Sequence, residues 1–186
     1  MSKSIQILNW THFFLKMSCL VARKSKDSTK IGSVLVRPTI HFGNISTPIN
    51  AIIATGYNGF PRGVDEKRKM ERWERPLKYF YASHSESNVV AQTALLGQSA
   101  HGCNLYTIAV PCSNCAKSII QAGIKQVFYI QKAQDIWVNN LAQNSNNWTK
   151  EFNISQEMFS EADVKLIPYN GKLDEKISIS GKIYKI

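Results

Sequence analysis

Apolar positions return at helical spacing over residues 5–24, where Ile5, Leu8, Phe13, Met17, Leu20 and Val21 fall on or near one face. Arg23, Lys24 and Lys26 follow, where cations suit a helix C-terminus. The run from Ile31 to Arg37 predicts a buried strand that Pro38 ends, and 39–49, rich in turn formers, predicts a loop. Residues 50–56 predict a second strand, making a hairpin with a long connection. Residues 57–63 are turn chemistry throughout. The polar stretch 64–83, with Arg68, Arg72 and Arg75 among Glu66, Glu71 and Glu74, predicts a loop or a short exposed helix. Beyond it the pattern alternates: helix 84–96 ending at Gly97, strand 104–110, helix 113–122 closed by Gly123, strand 125–131, helix 148–161 and strand 163–168. The tail, 171–186, predicts a small hairpin or edge extension around Ser180-Gly181.

That alternation predicts an α/β layer fold, with the opening helix and hairpin joining the same sheet. No linker, repeat or low-complexity tract divides the chain, so one domain is expected, with a body over 1–170 and a tail over 171–186. The 186 residues are 44% hydrophobic and 19% charged, which excludes wholesale disorder and collagen-like structure. Lys16 interrupts the apolar stretch Phe13–Ala22 and no cleavage site follows it, so neither a signal peptide nor a membrane span is expected. A cytoplasmic location follows as an expectation. The net charge of +10 suits either a nucleic acid or small anionic ligands, and charge alone does not choose.

Two pieces of sequence carry chemistry: His84-Ser85-Glu86, and Pro111-Cys112-Ser113-Asn114-Cys115. Together they fit the H-x-E…P-C-x-x-C pattern of zinc deaminases. Zinc takes nitrogen and sulfur ligands in a tetrahedron, and a catalytic site keeps its fourth position open. His84, Cys112 and Cys115 supply three ligands from two predicted helix starts, where backbone N–H groups favour thiolates. Glu86, two residues beyond His84, can face the metal without ligating it and carry a proton. A lone C-x-x-C also suits structural zinc or a redox pair. A fourth ligand from Cys103 or His101 would close the site into a structural knuckle. The separate H-x-E and the proline before Cys112 weigh against that. Cys19 reads as a buried small hydrophobe, His12 as a surface or packing residue, and His41 has no evident partner.

Further segments, Arg23–Asp27, Gly56-Tyr57-Asn58-Gly59-Phe60-Pro61-Arg62-Gly63 and the run on from Cys115 to Lys125, complete a resemblance. In order, from about residue 10 to residue 130, the chain resembles the deoxycytidylate (dCMP) deaminase family of the cytidine deaminase superfamily. The resemblance implies a five-stranded mixed sheet sandwiched by helices. It implies the reaction of dCMP with water to give dUMP and ammonia. It implies a homo-oligomer, commonly a hexamer, activated by dCTP and inhibited by dTTP, with Mg2+ on the effector phosphates. By the same resemblance Asn58 bonds the deoxyribose, and the Ser25-Lys26-Asp27 turn lies near the nucleotide phosphate. Gly56, Tyr57, Gly59, Phe60 and Arg62 would line the effector site, where glycines admit a phosphate and Arg62 pairs with it.

There are departures. Ser85 stands where Ala is usual and reads as a helix cap. Ile108-Ala109-Val110 replaces a Thr or Ser with an aromatic, and Lys132-Ala133-Gln134 stands where some relatives have a substrate-touching Tyr. Asp27 and Ser28 stand where some relatives bind a second zinc, so one zinc per chain is expected. A tRNA adenosine or single-stranded DNA deaminase would share the zinc chemistry and suit the charge. The Tyr57–Gly63 loop, and the want of a dense basic stripe with aromatics, weigh against that reading. A structural zinc module is the non-enzymatic alternative.

Overall fold

The computed structural model describes residues 8–66, 70–141 and 147–186, so Ile5 and Arg68 of the sequence reading lie outside the described residues. Five strands make one sheet: β1 (Gly32–Phe42), β2 (Ile45–Tyr57), β3 (Asn104–Thr107), β4 (Gln126–Ile130) and β5 (Lys165–Tyr169). Their order is β2-β1-β3-β4-β5, antiparallel across β2, β1 and β3 and parallel from β3 to β5. Helices α1 (Trp10–Ala22), α2 (Lys78–Tyr81), α3 (Ser85–Leu95), α4 (Ser113–Gln121), α5 (Gln131–Leu141) and α6 (Asn147–Glu161) surround it. A separate hairpin, β6 (Lys176–Ile179) and β7 (Lys182–Lys185), ends the chain. Among the described residues, no helix is long and apolar enough to cross a membrane.

Both faces of the sheet are covered, which explains why the central strands read as continuous apolar runs. Side chains alternate faces along a strand. Val34 and Val36 pack with α1, with Ala133 of α5, and with Ile177, Ile179 and Ile186 from the C-terminal hairpin. Leu35 between them packs on the other side with Val89 of α3, Ile119 of α4 and Phe159 of α6. The helices that carry the chemistry therefore lie on one face, and α1 with the hairpin on the other.

Several expectations are corrected. Pro38 does not end β1. The strand slips register between Arg37 and Thr39 and continues to Phe42, because an irregularity in the ladder tolerates a residue with no N–H. Residues 39–49 are thus no loop but the arm of a hairpin, turned at Gly43-Asn44 with Gly43 at φ 57°. In that arm His41 does have a partner, Ser46 Oγ at 2.8 Å. Helix α1 begins at Trp10, capped by the Asn9 side chain, and buries Phe14, Leu15, Ser18, Cys19 and Ala22, leaving Phe13 and Leu20 exposed. The 104–110 ladder stops at Thr107, and α5 fills a segment for which no element was predicted.

Candidate active site and metal centre

Two helix starts meet at one point. His84 is the N-cap of α3 and Cys112 the N-cap of α4, with Cys115 on the first turn of α4. The ligand atoms of His84, Cys112 and Cys115 lie within 4.8 Å of one another. His84 Nδ1 is 3.4 Å from Cys112 Sγ and 3.5 Å from Cys115 Sγ. A tetrahedral zinc with bonds of about 2.0–2.3 Å keeps its ligand atoms about 3.5–3.8 Å apart, so these three residues fit the ion. Cys103 and His101 do not join them. Cys103 is buried with its thiol toward Ser99 O, and His101 is exposed near Gly123. Among the described residues the cluster therefore has three ligands and no fourth His, Cys, Asp or Glu in the group.

The electrostatics are those of a poised ligand set. Burial disfavours the His84 cation, yet the hydrogen bond and charge of Cys112 outweigh it and hold His84 at about 9. The hydrogen bond with Cys115, joined by His84, brings Cys112 down to about 4. That same bond, with burial, pushes Cys115 well above the usual thiol range. Without metal, the cluster is a Cys112 thiolate between an imidazolium and a thiol.

Glu86 sits beside the cluster, its Oε2 3.7 Å from Cys115 Sγ. It is 5% exposed, and burial raises its pKa. Hydroxyls hold it: Ser85 Oγ donates to Oε2 at 3.1 Å and Thr107 Oγ1 to Oε1 at 3.4 Å, while Ser33 Oγ meets both hydroxyls at 2.7 and 3.0 Å. Ser85 is therefore not the cap that was expected. The start of α3 is served from outside by Asn58, whose Oδ1 accepts from Ser85 N at 2.9 Å. Asn58 Nδ2 donates to Thr29 O, and Ser25 Oγ donates to Asn58 O.

A cavity lined by Glu86, His84, Cys112, Asn58, Ala109, Val110, Trp137, Trp148 and Phe152 opens at this floor. Trp148 faces the His84 ring at a centroid distance of 6.2 Å and packs against Trp137 and Phe152. None of the three aromatics was singled out in the sequence. The one available signal was two tryptophans in otherwise polar helical stretches. Gln134, where a substrate-touching Tyr was sought, instead props the wall, accepting from Val110 N at 3.0 Å.

The model of the cytidine and deoxycytidylate deaminase zinc-binding region matches residues 8–131. The chain belongs to this family. It is 32% identical over 161 residues to an uncharacterised deaminase encoded 3′ of luxG in Aliivibrio fischeri, covering 86% of this chain and 93% of that one. It is 33% identical over 128 residues to the deoxycytidylate deaminase of Mus musculus, and 32% identical to that of Homo sapiens. Those matches cover 66% of this chain and 65% of each relative, so the chain spans just under two thirds of their length. In fold it is similar to the dCMP deaminase of cyanophage S-TIM5, solved with dCMP and dUMP, at a TM-score of 0.58 and 20% identity, over 89% of this chain and 100% of that one.

Five of the other predicted residues gather at a second place. Gly56, Tyr57, Gly59, Phe60 and Arg62 line a cavity of about 350 Å³, whose far wall is α3 at Asn88, Ala91 and Gln92. Arg62 Nη2 donates to Gln92 Oε1 at 2.8 Å, and Phe60 stacks on Trp73 at 4.2 Å. Gly56 also serves packing, since a Cβ there would collide with the Ser85 carbonyl of α3. The Lys26 ammonium pairs at the surface with Glu66 at 2.7 Å, and Lys26 is not among the residues lining the cavities at His84. Ser25 is buried, its hydroxyl donating to Asn58 O at 2.7 Å.

Proposed function

We propose that the chain deaminates dCMP hydrolytically to dUMP, with His84, Cys112 and Cys115 holding one zinc and Glu86 carrying the proton. The observation that carries this reading is the buried Glu86 carboxylate beside a three-ligand cluster at the floor of an aromatic-lined cavity. When bound, the zinc ion polarises water and brings its pKa to about 7. Glu86, desolvated and aimed by Ser85 and Thr107, would take one proton from the attacking water and pass it to the ring nitrogen, then move the second proton, from the new hydroxyl, to the amino group, which leaves as ammonia as the carbonyl forms. Asn58 fixes the start of α3 and borders the cavity where the sugar would lie. The names of the mouse and human relatives support dCMP as the substrate.

The Gly56–Arg62 cavity supports the finer reading of activation by dCTP, with Mg2+ on its phosphates, and inhibition by dTTP. Its wall and the Glu86 seat are one helix, and Asn88 Nδ2 ties that helix to Tyr57 O at 2.8 Å. A homo-oligomer, the hexamer that the family resemblance implies, belongs to the same reading. The exposed side chains of Trp10, Leu20, Phe42 and Ile45 support it. The test is ultraviolet loss of dCMP by zinc-loaded protein, with and without dCTP and dTTP. Turnover is expected, and its absence under all these conditions overturns the reading.

A further inference from the structure

A second cavity adjoins the one that Glu86 lines. Its lining passes from His84, Asn58, Trp137 and Trp148 to Arg75, Lys78 and Ser180. Lys78 is already neutralised there, buried with its Nζ 2.7 Å from Asp27 Oδ1. Arg75 is exposed, and among the described residues no carboxylate pairs with it. Its Nη2 reaches Ser180 Oγ at 3.4 Å instead.

Ser180 and Gly181 are the two-residue turn of the C-terminal hairpin, at φ 50° and 80°. The turn is pinned to the 28–30 segment. Ser180 N donates to Thr29 Oγ1 at 3.0 Å, Gly181 N to Ser28 O at 2.8 Å, and Lys30 N to Ser178 O at 2.9 Å. Leu173, Ile177, Ile179 and Ile186 anchor the hairpin in the core under α1. Thr29 also accepts, at its carbonyl, from Asn58 Nδ2 at 3.1 Å. One short segment therefore seats both the hairpin turn and the residue that fixes the start of α3.

We propose that Arg75 and the Ser180 hydroxyl form the subsite for the phosphomonoester of the substrate; this rests on the deaminase reading above. A nucleotide with its base against Glu86 presents its phosphate toward this adjoining cavity, since the two cavities share Asn58, His84, Trp137 and Trp148. A guanidinium without a carboxylate partner offers paired N–H donors to phosphate oxygens. The Ser180 hydroxyl, an acceptor for Arg75 in this structure, has its own proton to donate to a third oxygen. Lys26, expected from the sequence to serve the phosphate, is held by Glu66 outside this cavity. The C-terminal hairpin thereby becomes a wall of the substrate site.

The test compares wild type with Arg75→Ala, Arg75→Lys and Ser180→Asp, all zinc-loaded. Asp tolerates the left-handed turn position and sets a charge against the phosphate. The readouts are kcat and KM for dCMP, and inhibition by dUMP and by deoxyuridine. For Arg75→Ala, KM for dCMP rises about tenfold or more, with the smaller change in kcat. Inhibition by dUMP weakens about tenfold more than inhibition by deoxyuridine. Ser180→Asp moves both in the same direction, and Arg75→Lys recovers part of the loss. An unchanged KM in Arg75→Ala and Ser180→Asp, or equal weakening of dUMP and deoxyuridine, overturns the subsite while wild-type turnover stands. Zinc-loaded wild type that leaves dCMP intact overturns the deaminase reading, and the subsite with it.

Discussion

Helix α3 serves two cavities, and they are built in opposite ways. At its first turn Ser85 and Glu86 are almost wholly buried, and their side chains bond to Ser33, Thr107 and each other. Two turns later the same helix lines the Gly56–Arg62 cavity, where Tyr57 is 39% exposed and Arg62 bonds Gln92 at the surface. In the first place the protein holds a charge carrier where low dielectric strengthens every contact, so each contact is costly to lose. In the second, water competes for every group, and a change there costs the fold little. The difference separates residues that must be fixed for chemistry from residues left available for a ligand.

The largest expected effect tests the buried end. Glu86→Gln keeps the shape of the side chain and removes the proton carrier. Turnover falls by about 10²–10⁴-fold, while metal analysis still finds one zinc per chain. Loss of zinc, or activity within tenfold of wild type, contradicts the role given to Glu86.

Next comes the buried pair beside it. Lys78→Met leaves Asp27 buried without its cation and costs about 3–5 kcal/mol of unfolding free energy. Lys26→Met breaks a pair of similar length at the surface, with Glu66, and costs no more than about 1 kcal/mol. Denaturant titration of both variants sharpens the contrast. Equal losses would show that burial is not what distinguishes the two regions.

What could be read in advance follows from range. His84 and Glu86 are two residues apart, and Cys112 and Cys115 three, so helix starts alone make them converge. Val34, Leu35 and Val36 announce a strand covered on both faces because neighbouring side chains alternate. Contacts made across long stretches of sequence leave no such local trace. The Asn58 cap on Ser85, the bond from Arg75 to Ser180 and the meeting of Trp137 with Trp148 are of that kind. Pro38 misled for a local reason: a residue without an N–H reads as a strand end, yet a register slip accommodates it. Helix α5 was hidden by its composition, since Gln131, Lys132, Gln134 and Asp135 dilute its apolar face.

A smaller effect is a matter of pH. Near pH 7 the metal-free cluster keeps protons on His84, at about 9, and on Cys115, while Cys112, at about 4, has lost its own. Zinc must displace the two that remain, so log affinity rises by about two per pH unit between roughly 5 and 8. The slope flattens as pH passes the His84 and Cys115 values, and steepens toward three as pH falls below that of Cys112. Calorimetry in buffers of different ionisation enthalpy counts the protons. Release near zero would mean that the ligands are already deprotonated, and that the hydrogen bonds and charges among His84, Cys112 and Cys115 do not hold these protons.

The smallest effect on the fold is expected at the open cavity. Arg62→Ala removes one exposed hydrogen bond to Gln92, and unfolding free energy changes by less than about 0.5 kcal/mol. If the cavity takes a triphosphate, the same change removes a charge-assisted donor, and the dCTP concentration for half-activation rises about tenfold. Basal turnover of dCMP changes less than the dCTP response, because Arg62 meets α3 at Gln92, well beyond the turn that holds Glu86. A dCTP response identical to wild type would take Arg62 out of the effector site. A basal loss as large as the shift in dCTP response would show that α3 cannot keep its two ends independent.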